Sequence, residues 1–63
     1  MNMSKTEAVK TMNRFGIAST EHSVSRIIRE ADEGREVNPV ILQAAGVLAY
    51  HSSLRTAQQR ASR

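Results

Sequence analysis

The 63-residue chain contains no cysteine, so disulfide bonds and thiolate metal sites are excluded. Histidine occurs only as His22 and His51, too few for a metal site built from imidazoles alone. A chain of this length buries only about 60% of its unfolded surface and is marginally stable by itself. Disulfides, a structural metal and oligomerisation are the usual remedies. The composition leaves oligomerisation, and we expect neither a metal nor another cofactor.

Acidic residues are missing from the last part of the chain. Residues 37–63 carry Arg55, Arg60 and Arg63 without any acid, whereas residues 21–36 carry three arginines against five acids. The whole chain has a net charge of +3 and a pI near 10.2. This balance fits nucleic acid or an acidic protein surface as a partner. It equally fits basic ends that only keep a small protein soluble.

Long apolar runs are also missing. The first twenty residues contain no run of the length that a secretory signal peptide requires. The most apolar stretch, residues 40–50, has nine apolar residues in eleven. A helix that spans a membrane needs about 20 such residues. We therefore predict a cytoplasmic protein without a membrane partner.

The residue groups that carry out catalysis are not found at workable spacings. The serines lie at helix caps or in the polar end of the chain, and neither histidine is spaced to activate one of them. There is no glycine-rich phosphate loop, and the clustered carboxylates of residues 30–36 fall on a face predicted to be exposed. A chain this short also lacks room for a pocket that excludes water. We predict no catalytic residue, no enzyme activity and no small-molecule substrate.

Capping signals and apolar periodicity predict three helices. The first covers roughly residues 4–15, because Ser4 and Glu7 form a capping box and Gly16 provides a left-handed end. The second covers roughly residues 20–33 and ends at Gly34, with Ser19 or Thr20 as its cap. Their predicted core stripes are Ala8, Val9, Met12 and Phe15 in the first, and Val24, Ile27, Ile28 and Ala31 in the second.

The third predicted helix covers roughly residues 39–56, with Asn38 as its cap and Pro39 at the first helical position. It is too apolar around its circumference to be covered by two short helices, which suggests self-association. We expect one helical domain over residues 1–56, followed by a basic, disordered tail over residues 57–63. The predicted oligomer interface consists of Val40, Ile41, Ala44, Ala45, Val47, Leu48 and His51.

Residues 14–29 read Arg-Phe-Gly-Ile-Ala-Ser-Thr-Glu-His-Ser-Val-Ser-Arg-Ile-Ile-Arg. This segment resembles the core of a helix-turn-helix DNA-binding motif, in which Arg-Phe-Gly-Ile-Ser precedes a recognition helix that contains Val-Ser-Arg-Ile-Ile. The chain has roughly two residues more between Ile17 and Val24 than the common motif. Acidic residues also follow the arginines of the second helix, and phosphate repels these acidic residues. The resemblance implies Gly16 as the turn glycine, Val24 and Ile27 as anchors, and Ser23, Ser25, Arg26 and Arg29 as residues that face DNA.

Taken together, the sequence predicts an all-α module of three helices, a helical hairpin plus an N-terminal helix, assembled as a dimer or a higher oligomer. We expect a non-enzymatic regulatory or inhibitory protein that binds a macromolecule, foremost a protein, in the manner of small antitoxin-like adaptors or phage and plasmid inhibitors. The alternative is a helix-turn-helix-like DNA-binding transcriptional regulator, with nucleic acid as the partner. The predicted partner-binding residues lie on the second helix and just after it: Ser23, Arg26, Arg29, Glu30 and Glu33.

Overall fold

The computed structural model describes residues 3–61, with side chains described as far as residue 52. It contains three helices: α1 (Lys5–Arg14), α2 (Glu21–Asp32) and α3 (Pro39–Ala61). Within residues 3–61 there is no β-strand, so the predicted all-α fold is confirmed. Over that part of the chain, no helix combines the length and apolar character that crossing a membrane requires.

α3 is the central element of the fold. Both α1 and α2 pack against α3, but no Cα atom of α1 comes within 8 Å of a Cα atom of α2. α3 has 23 residues, whereas α1 has 10 and α2 has 12. The two short helices therefore cover different parts of one long helix and do not form a hairpin with each other.

Each helix begins at a predicted capping residue. A side-chain oxygen of the cap accepts a hydrogen bond from a backbone amide two or three residues later, which stabilises a helix by about 1 kcal/mol. The Ser4 hydroxyl also donates to the Glu7 carboxylate over 3.2 Å. The cap bonds join Ser4 to the Glu7 amide (3.1 Å), Thr20 to the Ser23 amide (3.3 Å) and Asn38 to the Val40 amide (2.9 Å).

The first two helices end at glycines, as predicted. Gly16 and Gly34 have φ angles of 74° and 84°, a conformation that disfavours residues with a Cβ atom. After Gly16, the Ile17 amide donates back to the Met12 carbonyl over 2.9 Å. After Gly34, the Arg35 amide donates to the Glu30 carbonyl over 3.0 Å. Both ends are Schellman motifs, which satisfy carbonyls that a helix end leaves unpaired.

The core is small and lies where α1 and α2 meet α3. Met12 is the largest fully buried side chain. Three of the six buried apolar residues are alanines. No buried side-chain nitrogen or oxygen of the described residues lacks a hydrogen-bond partner. The buried apolar residues are Ala8, Met12, Val24, Ile27, Ala44 and Ala45.

The predicted core stripe of α1 is wrong at its end. Phe15 is 44% exposed, whereas Thr11, which was not predicted, is buried. The reason is that α1 ends at Arg14, and Phe15 is the C-cap with φ −88° and ψ 8°. Ala8, Thr11 and Met12 follow the i, i+3, i+4 spacing of one helix face, but the chain leaves that spacing at Phe15. Val9 is partly exposed.

The predicted end of α3 at residue 56 is too early, because the helix continues to Ala61. Residues 55–61 contain no glycine or proline, and alanine, arginine and glutamine favour helix. The apolar pattern stops near Leu54, but the loss of an apolar face does not by itself end a helix. The rest of the predicted tail, residues 62–63, lies outside the described residues.

Candidate functional site

The outward face of α2 is the first candidate surface. Val24 and Ile27 are buried, so the side of α2 that carries them faces α3. A helix turns about 100° per residue, which places the positions between these apolar residues on the opposite side. We define the outward face of α2 by four exposed residues: His22, Ser25, Arg26 and Arg29.

The structure brings only some of the predicted partner-binding residues onto this face. Arg26 and Arg29 are exposed on it. Glu30 is half-buried at its edge, and Glu33 lies just beyond α2 as its exposed C-cap. Ser23 is half-buried, and its hydroxyl accepts a hydrogen bond from the Thr20 hydroxyl over 3.2 Å. Ser23 therefore belongs to the helix cap rather than to the outward face.

The charges on this face are only partly paired. The Arg26 Nε atom lies 3.8 Å from a Glu30 carboxylate oxygen, an exposed i,i+4 pair that contributes about 0.3–0.5 kcal/mol. Arg29 and Glu33 have the same i,i+4 spacing but do not form an ion pair. Glu33 is outside the helical repeat as the C-cap, and its carboxylate lies 3.9 Å from the Arg35 Nε atom. Among the described residues, Arg29 has no ion-pair partner within 4.0 Å.

The resemblance of residues 14–29 to a helix-turn-helix motif does not extend to the packing of α1 and α2. Six residues, 15–20, connect these helices, whereas the motif uses a turn of about three or four. The two helices of that motif also pack against each other, but α1 and α2 make their contacts with α3. DNA binding therefore stays a hypothesis that rests on the basic charge of the chain.

The residues of the predicted oligomer interface are divided between two sides of α3. Ala44 and Ala45 are 0% exposed, inside the core of the single chain, so a second copy would reach them only if the helices repacked. Ile41 and Leu48 are half-buried and pack against this core. His51 is half-buried, with its ring 5.6 Å from the Tyr50 ring in an edge-on arrangement. Val47 is also half-buried and packs against the core, whereas Val40 is 47% exposed.

The side of α3 that is turned away from the core is a second candidate surface, of which the sequence predicted only Val40. Tyr50 is 65% exposed and Val40 is 47% exposed, although both are large apolar residues of the central helix. Their side of the helix contains no Asp, Glu, Lys or Arg between Pro39 and Leu54. The sequence signal that could have identified this surface is the 4-3-4 spacing of residues 39, 43, 46 and 50. We define the outward strip of α3 as Pro39, Val40, Gln43, Gly46 and Tyr50.

The two surfaces were compared with metal sites and with known proteins. Within the part of the chain that the structure describes, no group of three or more His, Cys, Asp or Glu residues is placed to hold a metal ion. The chain matches no protein-family model, no curated protein and no solved structure. The arrangement offers two surfaces for non-covalent contact: a charged one on α2 and an uncharged, largely apolar one on α3.

Proposed function

We propose that this protein is a small, non-enzymatic regulatory or inhibitory protein that binds a macromolecular partner, foremost a protein, as a cytoplasmic helical oligomer. The observation that supports this proposal most strongly is the outward face of α2. Arg26 and Arg29 are exposed on a helix whose caps and core contacts do not involve their side chains. A rigid, charged helix face that the fold does not need is available for contact with another molecule.

The signs of the charges favour a protein over DNA as that molecule. Glu30 lies at the edge of the face, and Asp32 and Glu33 follow at the end of α2. These carboxylates repel phosphate, whereas a protein surface with both signs of charge can match them. The residues that we assign to the contact are Arg26, Arg29, Glu30 and Glu33, with Ser25 in place of Ser23.

Photo-crosslinking tests the proposal most directly. A photoreactive residue replaces Ser25 on the outward face of α2, and the same residue replaces the exposed Asn13 on α1 as a control. We expect protein adducts from position 25 that the double variant Arg26→Ala, Arg29→Ala loses. The control variant Lys10→Ala, Arg14→Ala removes the same charge from α1 and should keep the adducts.

The alternative function, a helix-turn-helix-like DNA-binding regulator, is tested by a filter assay for binding to DNA. The assay compares binding to generic duplex DNA at low and at moderate salt. Binding through several phosphates weakens steeply as salt rises. Tight binding to duplex DNA with a steep salt dependence, together with no protein adduct from position 25, would overturn the proposal.

A further inference from the structure

We draw no further inference here: the strongest candidate, the outward strip of α3, is an uncharged and largely apolar helix face with Val40 and Tyr50 exposed, and nothing in the structure shows what covers it.

Discussion

The Ser52 hydroxyl of α3 donates a hydrogen bond to the Glu21 carboxylate in the first turn of α2, over 3.1 Å. The two residues are 31 positions apart in the chain. Their bond fixes the start of α2 against α3. α2 is also the helix that carries Val24 and Ile27 into the core. It thereby helps to set the direction in which the outward face of α2 points.

Ser52→Ala should lower the free energy of unfolding by about 1 kcal/mol, because a partly exposed hydrogen bond is lost. In a chain of this size that corresponds to a fall of about 4–8 °C in melting temperature, measured by circular dichroism. Ser25→Ala is the matched control, since Ser25 is exposed on α2 and the same change in helix propensity applies. Equal melting temperatures for the two variants would show that the bond does not contribute.

Met12→Ala should be the most damaging truncation in α1. Met12 is the largest fully buried side chain, and truncation of such a residue typically costs about 2–5 kcal/mol. That loss is comparable to the whole stability of a small domain, so urea titration should find the variant largely unfolded.

Phe15→Ala removes a larger side chain and provides the control. Because Phe15 is 44% exposed at the end of α1, we expect it to cost less than about 1 kcal/mol, well below a core truncation. A larger loss from Phe15→Ala than from Met12→Ala would mean that Phe15 belongs to the core, as the sequence predicted.

The sequence predicts α2 well because polar residues mark one of its sides. Val24 and Ile27 recur among charged residues, so only one orientation of α2 buries apolar surface, and the structure confirms both as core. The caps and glycine ends were predictable for a related reason. Ser4, Thr20 and Asn38 act on amides two or three residues away, and such local geometry does not depend on the rest of the fold.

α3 could not be oriented in the same way. Residues 40–50 are apolar on every side except at Gln43 and Gly46, so periodicity does not say which side meets α1 and α2. The sequence therefore assigned Ala44 and Ala45 to an interface between copies, whereas the structure places them in the core of one chain. The bond between Ser52 and Glu21 was equally out of reach, because it depends on how distant parts of the chain pack.

Gly34→Ala should destabilise the protein by about 1–2 kcal/mol, the cost of a left-handed conformation for a residue with a Cβ atom. Gly34 has φ 84°, and a Cβ atom there would meet nothing within 4 Å, so the cost comes from the backbone and not from a clash. Gly34→Asn should cost less, because asparagine tolerates this conformation. Thermal unfolding of the two variants measures the difference, and equal stability of Gly34→Ala and the wild type would contradict the Schellman end.

The continuation of α3 beyond residue 56 can be tested by nuclear magnetic resonance. Because the helix runs to Ala61, the Cα chemical shifts of residues 57–61 should show the positive deviations of a helix. A deletion from Gln58 onward should remove these helical signals and leave the shifts of Met12 and Ile27 unchanged. Random-coil shifts over residues 57–61 would instead support the disordered tail that the sequence predicted.

The double change Glu30→Gln, Glu33→Gln separates the two candidate functions. It removes the carboxylates that lie 3.8 Å from Arg26 and 3.9 Å from Arg35, while the core and the N-caps keep their side chains. Duplex DNA should bind the variant more tightly if phosphate is the natural ligand, because repulsion is relieved. A protein partner that matches the carboxylates should instead bind about tenfold more weakly, since exposed ion pairs contribute up to about 1 kcal/mol each. The affinities for duplex DNA and for the protein crosslinked at position 25 measure both effects.

Glu7→Gln, Glu36→Gln changes the net charge equally at sites away from α2 and is the control. We expect weaker protein binding for Glu30→Gln, Glu33→Gln and unchanged protein binding for the control variant. Tighter binding to DNA without a loss of protein binding would favour the DNA-binding function instead.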